Sequence, residues 1–288
     1  MRGRIVSSSC GVYSIDVDGV IYNAPARGLF RNIGVKPTVG DDVEIAEDNY
    51  VIKHVYERVS FLKRPPIANI DQMLIVESLK EPEFSYLLAF KYLTYANMNG
   101  INAKIILTKS DKEEDKALID EIVNNFKMMN IETYVVSNKT LEGLQEVKKL
   151  FANHVTCLIG QSGVGKSSLI NSIDKDFERK VGEYSYALGR GKHQTKEVIL
   201  LPYEGGYIAD TPGFSSLELE LYKENLAQFY PGFTDLYTKC YFSNCLHITE
   251  GKCLVKEQFE NGNFPKIAYD CYLKLSEQTI FKSKRYER

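Results

Sequence analysis

No apolar run in this 288-residue chain is long enough to cross a bilayer. Runs such as Met-Leu-Ile-Val at 73–76 fall far short of the ~20 residues a spanning helix needs. The N-terminal stretch MRGRIVSSSC also lacks the apolar core of a secretion signal, and its alternation reads as a strand, so a cytoplasmic location is expected. Excess charge is missing too. With 36 Lys and Arg against 38 Asp and Glu, the net charge is −2, and the chain is no polycation. A nucleic-acid partner would have to be held by local basic patches. The tail FKSKRYER, with Lys282, Lys284, Arg285 and Arg288 against Glu287, is either such a patch or a solvated end. Internal repeats and low-complexity segments are absent as well.

What is present is ordinary for a soluble globular protein: 44% hydrophobic and 26% charged residues, enough chain for two or three domains. Residues 1–64 read as all-β. Alternating runs such as Val12–Val17, an Asp18-Gly19 turn, and the runs GDDVEI and YVIKHVYER suggest a small OB-type barrel. Lys63-Arg64-Pro65-Pro66 marks a boundary, because paired prolines resist both helix and central strand. Beyond it, buried strands (NIDQMLIVESL, AKIILTKSD, IETYVVSN, VTCLIG) alternate with helical runs (PEFSYLLAFKYLTYANMNG, DKALIDEIVNNFKMMN, TLEGLQEVKKLFAN). Such alternation means βαβ units and a parallel sheet covered on both faces. The sheet is expected to continue through EVILLPY and GGYIADTPG. After about Leu217 the alternation stops, and a region rich in aromatics and cysteine precedes a helix expected over Phe264–Ile280. The expected domains are a barrel at 1–64, a nucleotide-binding α/β domain at 65–218 and a metal-binding domain with helices at 219–288.

The segment Gly160-Gln161-Ser162-Gly163-Val164-Gly165-Lys166-Ser167-Ser168 matches the phosphate-loop pattern G-x-x-x-x-G-K-[ST]. Its glycines let backbone N–H groups turn onto phosphates, and the helix that follows adds positive potential. Lys166 is expected on the β- and γ-phosphates, and the Ser167 hydroxyl on Mg²⁺. Asp210-Thr211-Pro212-Gly213 ends a later strand, where Asp210 can hold Mg²⁺ through water and the Gly213 amide can sense a γ-phosphate. Between them lies the polar, basic loop GRGKHQTKE. Its Thr195 is the candidate to close on Mg²⁺ and the γ-phosphate.

The base-reading segment comes earlier in the chain. Thr108-Lys109-Ser110-Asp111 ends the strand AKIIL, where a carboxylate can take the N1–H and N2–H of guanine, a pair adenine does not offer. The Lys109 stem can lie along the base. Thr108 stands where guanine readers commonly carry asparagine, so one side-chain amide is missing. Ser137 and Asn138 end the next strand and can offer backbone contacts to the base. In the cysteine-rich region, Cys240, Cys245, His247 and Cys253 form a Cys₃His set fitted to one closed, structural Zn²⁺; Cys10, Cys157 and Cys271 stand alone.

The order base reader, phosphate loop, threonine loop, D-x-x-G is a circular permutation of the usual GTPase order. With a barrel before it and a Cys₃His set after it, the chain resembles the circularly permuted ribosome small-subunit-dependent GTPase A family over essentially its whole length. The resemblance implies GTP hydrolysis in late assembly of the small (30S) subunit, stimulated by the subunit and coupled to release. It also implies rRNA contact, a monomer, and a zinc-binding C-terminal domain. Phe214 follows D-x-x-G and cannot orient water as a glutamine would, so His193 is the nearest polar candidate, at a position where the family's pattern carries histidine. A regulatory GTPase with protein-binding flanks, an ATP-dependent phosphotransferase and a non-catalytic RNA-binding protein remain the competing classes. Asp111 argues against the phosphotransferase.

Overall fold

The computed structural model describes residues 1–26, 36–63, 65–177, 179, 198–210 and 217–279. His193, Thr195, Gly213 and the basic tail lie outside the described residues, and Asp210 is described by its backbone alone. The chain divides into two compact units. One holds Met1–Leu74, Gly143–Ile159 and Lys166–Ser215; the other holds Ile75–Glu142, Gly160–Gly165 and Ser216–Arg288.

The first unit opens with β1 (Arg2–Ser9), β2 (Val12–Val17), β3 (Val20–Pro25), β4 (Asp42–Ile45) and β5 (Ile52–Val55), hydrogen-bonded in the order β3-β2-β1-β4-β5. A parallel bridge from Ala26 to Ile52 links the two outer strands and closes the ring in the sequence β1-β2-β3-β5-β4. That is the connectivity of an OB-type barrel. Ile5, Val6, Ile15, Val43, Ile45 and Ile52 fill its buried core. The turn between β2 and β3 places Asp18 and Gly19 at positive φ, and the Asp16 carboxylate accepts the Gly19 N–H at 2.8 Å.

Lys63 and Pro66 face each other across a two-stranded ribbon of β6 (Phe61–Lys63) and β7 (Pro66–Ala68). The prolines thus mark a tight reversal between edge strands, where a missing N–H costs no ladder bond.

The α/β region runs β8 (Gln72–Ser78), α1 (Tyr86–Met98), β9 (Asn102–Thr108), α2 (Lys116–Met128), β10 (Thr133–Val135), α3 (Leu144–Lys149), β11 (Val155–Ile159), α4 (Lys166–Ile173), β12 (Ile199–Tyr203) and β13 (Gly206–Asp210). The strand order is β10-β9-β8-β11-β13-β12. Every residue of β8 and β11 is buried, as strands covered on both faces must be. The Ser85 hydroxyl caps α1, and the Asp115 carboxylate caps α2. Two features depart from the reading of the sequence. The edge strand β12 is antiparallel: β12 and β13 form a hairpin through Glu204 and Gly205, both at positive φ. And α3 starts only at Leu144, because Leu141 and Gly143 adopt left-handed backbone that a helix does not tolerate.

In the second unit the chain continues through α5 (Leu226–Phe229), α6 (Leu254–Glu260) and α7 (Lys266–Glu277). Pro265 precedes α7, which begins two residues later than Phe264. Buried Tyr230, Phe233 and Tyr272 form an aromatic core here, with Phe90 of α1 stacked on Tyr230 at 5.5 Å.

Candidate functional sites: a phosphate loop with its base strip, and a metal cluster

Gly160–Gly165 leaves the end of β11, and α4 begins directly after it at Lys166, with Ser167 and Ser168 exposed in its first turn. Gly160 has φ +152°, and any Cβ there would drive into the Val76 carbonyl. Only glycine allows the loop to leave the sheet at this point. Val164 is buried, while Ser162 and Gly163 are exposed.

The base strip packs directly on this loop. Thr108, wholly buried at the end of β9, donates its hydroxyl to the Val164 carbonyl at 2.5 Å. Lys109 takes left-handed backbone (φ 60°), and its ammonium donates to the Gly163 carbonyl at 2.8 Å and to the Glu81 carbonyl. Asn138 reaches the loop from the neighbouring segment, its Nδ2 lying 3.4 Å from the Gly165 carbonyl. Gly165 has φ +99°, and a Cβ there would come within 3.3 Å of that same amide. Thr108 therefore does not simply lack the usual amide. Its hydroxyl ties the loop down, and an amide arrives from Asn138.

Asp111 is exposed beside the strip, and its Oδ1 accepts the Ser137 hydroxyl at 2.6 Å. That hydrogen bond holds its carboxyl below the usual carboxylate range. Ser137 is itself fixed, because its Oγ accepts the N–H groups of Lys139 and Thr140 at 3.2 and 3.0 Å. The carboxylate is thus ionised and oriented. Glu81 and Lys112 form an ion pair at the rim, residues the sequence pattern did not single out. Their pairing spans separate loops, and no local spacing announces it.

The second cluster joins Cys240, Cys245, His247 and Cys253, whose ligand atoms all lie within 4.8 Å of one another. Cys240 Sγ stands 3.5 Å from His247 Nδ1 and 3.9 Å from Cys253 Sγ, and His247 Nδ1 is 3.4 Å from Cys253 Sγ. Tetrahedral zinc with ordinary bond lengths requires S···S edges of about 3.8 Å and S···N edges of about 3.5 Å. The donor set therefore fits the metal. Burial pushes the Cys245 thiol up to about 12 and raises Cys253 as well. The loop around the cluster is braced from behind. Tyr269 and Tyr272 donate to the His247 and Leu246 carbonyls at 2.8 and 2.7 Å. The Glu250 carboxylate accepts the N–H groups of Leu246, Ile248 and Thr249. Glu250 and the two tyrosines were not evident from ligand spacing, which points to ligands and not to their supports.

Comparison with known proteins agrees across the whole length. Residues 55–220 match the family described as RsgA GTPase, and residues 2–51 match the RsgA N-terminal domain. A protein of Halalkalibacterium halodurans called small ribosomal subunit biogenesis GTPase RsgA is 38% identical, covering 99% of each chain. One from Staphylococcus aureus with the same description is 39% identical at the same coverage. The crystal structure of YjeQ from Thermotoga maritima superposes with a TM-score of 0.82 at 30% identity, over 96% of this chain and 97% of that one. YloQ, described as a circularly permuted GTPase, gives 0.81 at 32% identity over 96% and 94%.

Proposed function

The chain belongs to the RsgA GTPase family, and from that premise we propose that its hydrolysis of GTP serves late maturation of the small (30S) ribosomal subunit, is stimulated by that subunit and is coupled to release from it. The reaction converts GTP to GDP and phosphate. In this reading residues 1–64 form the barrel, 65–218 the permuted GTPase domain and 219–288 the zinc-binding domain. The protein acts as a cytoplasmic monomer that touches rRNA; among the described residues no helix is long and apolar enough to cross a membrane.

Asp111 takes the guanine N1–H and N2–H, with the Lys109 stem along the base and the backbone of Ser137 and Asn138 at its edge. The amides of Gly160–Gly165 and of Ser168 turn toward the phosphates, and Lys166 neutralises the β- and γ-oxygens. Ser167 and Thr195 would supply oxygens to Mg²⁺, with Asp210 holding it through water, and the bound ion would offset charge building up on the phosphates. The exposed Ser167 hydroxyl at the head of α4 suits such a hard cation. Gly213 donates its amide to the γ-phosphate. His193 orients the attacking water, since Phe214 offers no hydrogen bond. Cys240, Cys245, His247 and Cys253 hold a structural Zn²⁺.

The observation that carries this reading is the packing of the earlier base strip on the later phosphate loop, Thr108 to Val164 and Lys109 to Gly163. One experiment tests it: GTP turnover with and without purified small subunits. We expect slow turnover alone and strong stimulation by subunits. His193→Ala should remove most of the stimulation while leaving GTP affinity nearly intact, whereas Lys166→Ala should weaken binding itself. No stimulation by subunits sinks the proposed role. Full stimulation in His193→Ala moves the water-orienting group elsewhere.

A further inference from the structure

Tyr241 and Phe242 sit between the first two ligands of the metal cluster, and they are 71% and 46% exposed. Among the described residues they are the only exposed large apolar side chains adjacent in the chain. Their rings meet edge to face at 4.9 Å, and the Lys252 ammonium lies 4.8 Å from the centre of the Tyr241 ring. Two exposed rings facing water lose apolar free energy that burial would recover, so their persistence on a surface points to a partner.

The metal ligands explain why these groups meet. Tyr241 follows Cys240 directly, and Lys252 precedes Cys253 directly, so the approach of the two sulfurs to 3.9 Å brings ring and ammonium together, and an ion held between those sulfurs would fix that approach. The loop is short and tied, with the Cys245 N–H on the Phe242 carbonyl at 3.2 Å. A side chain on so constrained a loop loses little entropy when a ligand lands on it.

The charge around the rings selects the partner. Lys252 is exposed against the Tyr241 ring, and Lys239 is exposed two positions before Tyr241 in the chain. The one carboxylate between Cys240 and Cys253, that of Glu250, is occupied by three backbone amides. Aromatic faces for bases and ammonium groups for phosphates are the two halves of single-strand RNA recognition. The geometry points to Tyr241 and Phe242 as a stacking platform for an unpaired RNA base, assembled by the bound metal, with Lys239 and Lys252 on the adjoining phosphates. This deepens the small-subunit reading and rests on it for the biological source of the RNA.

The chain contains no tryptophan, which makes the test clean. In zinc-loaded full-length protein, Tyr241→Trp installs a single indole reporter. Short oligouridylate should quench its emission, and chelation of the zinc should abolish that quenching. A Tyr241→Ala/Phe242→Ala double variant with unchanged zinc content should bind the oligonucleotide about 5- to 100-fold more weakly. Its affinity for purified small subunits should fall as well, while GTP turnover without subunits is unchanged. Absence of quenching together with unaltered oligonucleotide affinity in the double variant overturns the platform. Quenching that persists after zinc removal overturns its assembly by metal. If the double variant loses subunit affinity but keeps oligonucleotide affinity, the rings meet ribosomal protein and the RNA assignment is wrong. If parent protein shows the oligonucleotide effects but never associates with subunits, the platform stands and the subunit reading falls.

Discussion

Ser137 has one hydroxyl and uses it in both directions, accepting from two backbone amides and donating to Asp111. Losing it should free the Asp111 carboxylate to rotate and return its pKa to the ordinary carboxylate range. In the proposed base site the ionised form is the one that accepts guanine, and the sign follows from that. A depressed pKa keeps Asp111 competent as pH falls through the ordinary carboxylate range, and competence is lost only below it. Ser137→Ala should therefore weaken GTP binding several-fold at neutral pH and move its acid-side loss to higher pH, as read by fluorescent-nucleotide titration. In Asp111→Asn the amide donates to the xanthine carbonyl, so preference should shift from guanine towards xanthine; unchanged GTP affinity would remove Asp111 from the base site. The sequence carried the aspartate at a strand end but not its supports. Thr108 finds its partner 56 residues later, at Val164, and Ser137 lies 26 residues from Asp111. Contacts at such separations leave no local pattern. The same holds for Asn138, whose side chain reaches Gly165.

At the scale of elements, the strand–loop–helix around Gly160 and the alternation leading up to it were legible, because buried parallel strands read as continuous apolar runs. The antiparallel β12–β13 hairpin was not, since its turn uses Glu204-Gly205 in place of the usual Asn-Gly or Asp-Gly. The cysteine loop was legible in its donors and silent about its bracing. A donor set that buries thiols must release protons when metal binds, and metal affinity must then rise with pH. Calorimetric zinc titrations in buffers of different ionisation enthalpy should detect that release, and acidification should strip the metal. Cys245→Ser should loosen the region around α6 and α7, seen as faster amide exchange there, with GTP binding preserved. Exchange unchanged from the parent protein would show that the aromatic core of Tyr230, Phe233 and Tyr272 holds this region without metal.

Across the whole molecule, the permuted order has a plain statement in the sheet. The chain enters the α/β region on β8 and leaves it on β13, and these strands lie on either side of β11, the strand that ends at the phosphate loop. Within the first unit, β13 is also sewn to the barrel. Tyr207 donates its hydroxyl to Asp16 at 3.0 Å, and the Arg4 guanidinium lies 5.6 Å from the centre of its ring. Asp16 is only 7% exposed, so Tyr207→Phe leaves a buried carboxylate short of a donor and should cost about 1–3 kcal/mol, read as a lowered thermal midpoint. An unshifted midpoint would show that water replaces the phenol. The placement of β8 and β13 has a mechanical meaning as well. β11 carries a hydrogen-bonded ladder on each edge, so shear along either ladder loads the strand that runs into Gly160–Gly165, and that loop inherits the stiffness of the middle of the sheet.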